Sequence, residues 1–418
     1  MRKNLGRLLW MLAATSLAVG FALPSAGASV SHAKAPPTVP GFDGKTITLG
    51  VLTPLSGLAS VIGKPLTNGN KVYWDSVNAK GGVAGKYKVQ LSQQDSQYDV
   101  ATTLQGYDQI KGDVVAFQQV LGTQPMKAVL QRLKPDQLTA APATLDSLWV
   151  KVPQLLPIGA PYQVQAVNGF NYYITKGGGK GKKICALAQD DEYGAAGLQG
   201  LNFAAKQLKF TVATTARFAT GSDVSAQVGQ LADAKCDAVF LASLPNDTTS
   251  IVTKMIGRSF TPQILGLSPT WLSGLEASPD QGPFLAQHFW LLSEGPAWGD
   301  TTVPGMNKML ADVQQYSPNQ KPDQYFAFGY LQSWAMDQVL EQAVKNGDLS
   351  KAGIQKALKQ VGTLKFQGLI GDYTYGSSAG SRNPPRDTTI FKIVNGKPAG
   401  LDILVPSFVS ATAKALKF

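Results

Sequence analysis

From Lys45 onward, hydrophobic and polar positions alternate between two periods, one of strands and one of helices. Residues 46–52, Thr-Ile-Thr-Leu-Gly-Val-Leu, read as a strand followed by a Pro/Gly loop. Residues 66–79 read as a helix that Lys80-Gly81-Gly82 stops, because glycine adopts the positive φ of a sharp helix end. A strand follows at 87–93, then a helix capped by Asp99 and running to Ile110. A short buried strand at 113–117, a helix at 124–133 and a strand at 137–141 complete a first module. This order predicts a parallel sheet covered by helices on both faces.

An irregular, Pro-rich stretch at 150–161 separates this module from a second one. There the pattern predicts helices at 162–175 and 195–208, the latter ended by Lys209-Phe210. A third helix, capped by Asp223, runs through Ala234, and Asp247 opens a fourth. Strands are expected at 183–188, 211–218, 237–242 and 262–267. The remainder reads as a strand at 288–293, helices at 303–316, 325–345 and 350–362, and a β-rich tail at 366–406. Two modules of similar size followed by about 125 residues suggest that the tail completes both lobes and forms no third domain. In such sheets ligands bind beyond the carboxyl ends of the strands, and two facing lobes place them in the cleft between.

The first residues have a different character. Arg2, Lys3 and Arg7 lead into an uncharged run from Leu8 to Leu23, then Pro24 and Ala26-Gly27-Ala28. Basic start, apolar centre and small-residue end are the layout of a secretory signal peptide, 1–28. A second small-residue triplet, Ala33-Lys34-Ala35, leaves the cleavage point open. No Cys follows the apolar run, so there is no lipobox, and the expected location is the periplasm or extracytoplasmic cell envelope. Residues 29–43 are small, Pro-rich and polar, and are expected to be a disordered linker.

The chain has 38 Lys+Arg against 27 Asp+Glu, a formal +11. Removing the three signal-peptide cations leaves 35 − 27 = +8. These cations are scattered. The densest group, Lys176, Lys180, Lys182 and Lys183, is threaded through glycines as a solvated loop, with no basic face interleaved with aromatics, so nucleic acid is not an expected partner. Only two His, His32 and His288, and two Cys, Cys185 and Cys236, are present. That leaves little material for a histidine metal site or a His-dependent nucleophile, and no cofactor is expected. In an exported chain an even cysteine count favours a disulfide.

Several local sequences in order resemble the type I periplasmic solute-binding proteins of ABC importers, in particular the branched-chain amino-acid-binding (leucine/isoleucine/valine) group. In the first module these are Leu49-Gly50-Val51-Leu52, Leu55-Ser56-Gly57 and Gly63. The longest follows as Val77-Asn78-Ala79-Lys80-Gly81-Gly82-Val83-Ala84-Gly85, then Gln94-Asp95 and Tyr98-Asp99. In the second module they are Asp190-Asp191-Glu192-Tyr193-Gly194, Gly221-Ser222-Asp223-Val224-Ser225 and Cys236-Asp237-Ala238-Val239-Phe240. Gly329-Tyr330 and Gly368-Leu369-Ile370-Gly371 also fit. The resemblance implies two Rossmann-like α/β lobes joined by crossover hinge strands. Lobe 1 would comprise 44–160 plus 296–366, and lobe 2 161–295 plus 367–418. It further implies a monomer that closes on a small-molecule ligand and docks on the membrane subunits of an ABC permease.

Carried over residue by residue, the family pocket falls in part on matching positions. Leu121, Gly122 and Thr123 lie where the family holds a ligand carboxylate at a helix start. Pro142 and Thr144 match a second contact from lobe 1. From lobe 2, Tyr193 matches an aromatic that covers the ligand, and Leu244 and Asn246 fall at a further contact. Ser268 stands where amino-acid binders carry an acid for the ligand ammonium, and Trp271 nearby is placed to stack on a flat or apolar guest. An unpaired buried ammonium is costly, so these substitutions put a zwitterionic amino acid, the ligand the resemblance implies, in doubt and point to a less polar one, such as an aromatic acid, a short organic acid, an amide or another hydrophobic catabolite. With the 2-1-3 strand order of such a lobe, Cys185 and Cys236 would sit on neighbouring strands within bridging distance.

Two other functions fit the sequence less well. The same clamshell can hand its closed state to a membrane receptor instead of a permease. A hydrolase reading rests on Gly376-Ser377-Ser378-Ala379-Gly380, which spells G-x-S-x-G, but no His follows Ser378 and the segment runs into Asn383-Pro384-Pro385. The segment reads as a turn, and the chain is expected not to be an enzyme.

Overall fold

The structure is a computed structural model and describes residues 37–418. The signal-peptide segment 1–28 and His32 lie outside the described residues. The first lobe begins with β1 (Thr46–Thr53), α1 (Ser60–Ala79), β2 (Lys88–Asp95), α2 (Val100–Ile110), β3 (Ala116–Leu121), α3 (Thr123–Leu133) and β4 (Ala140–Ala143). Its sheet is parallel, in the order β2-β1-β3-β4. The end of α1 follows from its glycines, Gly81 at φ 103° and Gly82 at φ 89°. Asp99 caps α2 by accepting from Thr102 N at 2.8 Å.

The second lobe contains α4 (Tyr162–Thr175), β5 (Ile184–Gln189), α5 (Glu192–Leu208), β6 (Val212–Phe218), α6 (Ser225–Asp233), β7 (Ala238–Ala242), α7 (Pro245–Gly257), β8 (Gln263–Leu267), α8 (Gly282–His288) and β9 (Phe289–Ser293). The chain then returns to the first lobe as α9 (Pro304–Tyr316), α10 (Gln324–Asn346), α11 (Lys351–Leu358) and the paired strands β10 (Thr363–Leu364) and β11 (Tyr373–Thr374). It finishes with β12 (Thr388–Ile393), β13 (Leu401–Phe408) and α12 (Ala411–Lys414). The second sheet runs β13-β12-β9-β8-β7-β5-β6, with β12 antiparallel to both neighbours.

Three expectations need correction. The linker is ordered where it is described: Val39 and Phe42 form a turn, and Phe42 is buried with its ring 5.0 Å from that of Tyr87. An aromatic that finds an apolar partner orders the short polar residues around it. Asp247 does not cap α7. It lies inside the first turn, where its carboxylate accepts Gly221 N at 2.8 Å and fixes the neighbouring loop. The first-lobe segment also extends past 366: Leu369, Ile370, Tyr373 and Tyr375 are buried in the same core as Trp74, Phe326 and Trp334. We therefore place the last crossing between lobes after Tyr375.

Three crossings join the lobes and are bonded to one another. Ala160 N in the first donates to Glu294 Oε2 in the second at 2.8 Å. Arg382 in the third donates to Val152 O in the first at 2.7 Å, and Tyr375 Oη donates to Pro157 O. Cys185 on β5 and Cys236 just before β7 form a disulfide with Cα atoms 5.9 Å apart, because β5 and β7 are adjacent in the sheet. Gly376–Gly380 is a loop closed by a Ser378–Ser381 capping box, with no strand-to-helix elbow at Ser378.

Candidate functional site

The carboxyl ends of the strands in both sheets face one cavity of about 150 Å³. That is room for a benzene ring or a short alkyl chain. Contacts between the lobes bridge its rim. Lys127 Nζ on α3 meets Glu192 Oε1 on α5 at 3.1 Å, and Asn246 Nδ2 donates to Leu58 O at 2.8 Å. The lobes are thus in the closed arrangement.

One wall is the start of α3. Gly122 at φ 102° turns the chain from β3 into the helix, and a side chain there would come within 2.7 Å of the Tyr98 ring. Glycine is therefore required on both counts. Thr123 and Thr144 are buried, with hydroxyl oxygens 2.6 Å apart, and both line the cavity. Pro125 has no N–H and no side chain caps the helix start, so the backbone amides beginning α3 remain donors for a guest.

Four tyrosines also line the cavity. Tyr98 comes from the first lobe, Tyr162 and Tyr193 from α4 and α5, and Tyr325 from α10. The rings of Tyr162 and Tyr193 meet edge to face with centroids 5.0 Å apart. Burial pushes all four phenols up, Tyr162 to about 12, so each remains a neutral O–H donor. The rest of the lining is largely aliphatic and aromatic: Ile62, Leu66, Leu121 and Leu244 near the mouth, and Trp298, Met306, Leu331 and Ile370 toward the hinge.

Among the described residues no Lys or Arg lines the cavity, and the acid that does is Glu294 in the middle crossing. Burial pushes this carboxyl up to about 8, against the opposing Ala160 N–H. Oε1 is buried without a partner. At neutral pH Glu294 is therefore mostly an uncharged acid, and so is the cavity as a whole.

Of the ten residues singled out in the sequence, seven line the cavity: Leu121, Gly122, Thr123, Thr144, Tyr193, Leu244 and Ser268. Three do not. Pro142 turns away, its carbonyl accepting from Gln332 Nε2 on α10 at 3.1 Å. Asn246 serves the rim through its bond to Leu58 O. Trp271 is fully buried in the second-lobe core against Phe289, and its indole N–H donates to Ala399 O at 2.9 Å. It points away from the cleft because the loop after β8 curls into a 3-10 turn at Ser268–Thr270. Sequence reasoning missed Tyr98, Tyr162, Glu294 and Tyr325. Each lies at a hinge or helix start, and the available signals were slight: a Pro-rich run before Tyr162 and a capping Asp323 before Tyr325.

Residues 46–398 match the periplasmic binding protein family. The chain belongs to that family. This periplasmic binding protein superposes on a fatty acid ABC transporter substrate-binding protein from Thermomonospora curvata with a TM-score of 0.84 at 26% identity, covering 91% of this chain and 97% of the other. It also shares its fold with a branched-chain amino acid ABC transporter structure from Thermus thermophilus with bound valine (TM-score 0.73, 16% identity, 88% and 98% coverage). A solute-binding protein from R. palustris in complex with 4-hydroxybenzoate is another fold relative (TM-score 0.72, 14% identity, 88% and 98% coverage). Among curated protein sequences none matches significantly. Among the described residues no helix of this binding protein is long and apolar enough to cross a membrane.

Proposed function

We propose that this periplasmic binding protein is the extracytoplasmic receptor of an ABC importer and captures one organic acid with an apolar body between its lobes. The observation that carries the reading is the uncharged, mainly apolar lining around a cluster of neutral donors. A ligand carboxylate would take the one hydroxyl proton that the Thr123–Thr144 pair leaves free and the free amides of α3, while its body lies along Ile62, Leu66, Leu121 and Leu244. An α-amino acid would bring an ammonium to a cavity whose one carboxyl, Glu294, is held mostly protonated by burial, so binding it must first draw the proton off that acid, at about 1–2 kcal/mol. The similarity to a fatty acid transporter's binding protein supports the same ligand class.

Calorimetry with octanoate, dodecanoate, 4-hydroxybenzoate, leucine and valine tests this. The expected outcome is saturable one-to-one binding of at least one of the carboxylic acids and none of the amino acids. Binding of leucine or valine with no response to the acids would overturn the reading.

A further inference from the structure

The start of α10 belongs to the first lobe yet bonds to the second. Gly69 of α1 and Gly329 of α10 lie where the two helices press together, and a Cβ at either would strike the other helix's backbone. The pair therefore moves as one body. Asp323 caps α10, accepting Tyr325 N at 2.7 Å and Phe326 N at 3.0 Å, and so fixes the first turn. From that turn Gln324 Nε2 donates to Ser268 O at 3.0 Å. Tyr325 Oη donates to Trp271 O at 2.6 Å and lies 3.1 Å from Pro269 O.

The accepting loop is anchored in the second lobe. It follows β8, Thr270 Oγ1 donates to Leu267 O at 2.7 Å, and the Trp271 indole bonds to Ala399 O. Gln324, Tyr325, Ser268 and Pro269 also line the cavity. The same two side chains thus form a wall of the ligand site and bonds across the lobe boundary.

We propose that Gln324 and Tyr325 are the catch that couples filling of the cavity to closure, and that the Tyr325 ring sets which ligand bodies let the catch engage. This rests on reading the cavity as the ligand site. The ring packs with Leu121, Leu244 and Ile62 in one cluster drawn from both lobes. A guest that fills the space beside the ring holds it over the loop carbonyls. A bulkier guest displaces it and breaks both contacts at once. In the open form those carbonyls and the hydroxyl face water, so each bond shifts the equilibrium modestly, by about fivefold.

The test uses Tyr325→Phe, which keeps the wall and removes the hydroxyl, together with Gln324→Ala and the double variant. Nitroxides are placed at Lys206→Cys on α5 and Lys356→Cys on α11, both exposed positions, and the native cysteines are already bridged. Pulsed electron–electron resonance then gives the lobe-to-lobe distance with and without octanoate, and stopped flow gives octanoate rates. With octanoate the parent should populate the short distance. The variants should keep a longer-distance fraction and release octanoate about five to ten times faster, with the association rate unchanged. A merely structural role would not produce that split. If octanoate leaves the parent unmoved, the ligand class proposed above fails, and the catch is judged on the ligand-free distributions, which should shift to longer distance in the variants. Distributions that coincide with the parent's in every condition would overturn the catch.

Discussion

Thr123 Oγ1 and Thr144 Oγ1 lie 2.6 Å apart and join the start of α3 to the loop after β4. Two hydroxyls this close share one proton between them, which leaves the second proton to be donated elsewhere. They sit next to the unprotected amides of the helix, so a carboxylate in the cavity would meet donors without any cation. On this basis Thr144→Val should lower octanoate affinity by about tenfold or more, since one donor to a charged group is lost. Circular dichroism should show the fold retained. Unchanged affinity by calorimetry would remove the pair from the binding site.

Trp271 should behave as a core residue. Trp271→Ala is expected to destabilise the protein by about 3–5 kcal/mol, the usual range for a buried large aromatic. Rank order of affinities among octanoate, dodecanoate and 4-hydroxybenzoate should stay as in the parent. A changed ligand order with unchanged melting temperature would place the indole back in the cleft.

The acids held neutral by burial give stability a sign. Glu294 is pushed up to about 8, Asp337 to about 7 and Asp323 to about 6, in each case chiefly by burial. The folded state therefore binds more protons than the unfolded chain between its ordinary carboxyl range and these values. Their stabilising contribution is complete at the acid end, below the unfolded pKa, and is lost as pH rises through the folded values. The melting temperature should fall between pH 5 and pH 8.5. In Glu294→Gln, whose amide oxygen can still accept Ala160 N, the fall should be shallower, by about 1–3 kcal/mol at the alkaline end. Parallel profiles for the two proteins would contradict the assignment.

The disulfide closes a segment of sequence separation 51. Replacing Cys185 and Cys236 by serine should cost at most about 4 kcal/mol through the freedom regained by the unfolded chain. The bridge lies at the amino ends of its strands, on the side of the sheet edge opposite the cavity. Octanoate affinity well below the melting temperature should therefore be unchanged, and a loss of affinity in the folded variant would show that the bridge also shapes the site.

Much of the fold was legible because its signals are local. The helix expected at 162–175 coincides with α4, and the glycine stop after α1 is where its pattern placed it. The misplacements have physical causes. The strand expected at 113–117 lies at Ala116–Leu121, and carries two polar residues, Gln118 and Gln119, in a strand buried along its whole length. Their amide nitrogens find partners inside the core, Gln118 Nε2 donating to Asn70 Oδ1 and Gln119 Nε2 to Thr53 Oγ1, both at 2.8 Å. Helix α1 begins at Ser60, earlier than expected, with Pro65 inside it, although a residue without an N–H usually marks a boundary. In the site, loop positions following strands were legible because sheet topology puts them at the cleft. Glu294 and Tyr325 were not, since their neighbours lie more than a hundred residues away or on the opposite lobe. Trp271 and Ser268 are three residues apart, yet only the turn between them sends one to the core and the other to the cavity.

The central claim, that a closed uncharged cavity holds an apolar organic acid, is most directly tested by native mass spectrometry of the protein as purified from its producing cells, followed by release and accurate mass of whatever is retained. The account predicts one equivalent of a monocarboxylic acid with an alkyl or aryl body, displaced by excess octanoate. Retention of a zwitterionic amino acid that octanoate does not displace would contradict it.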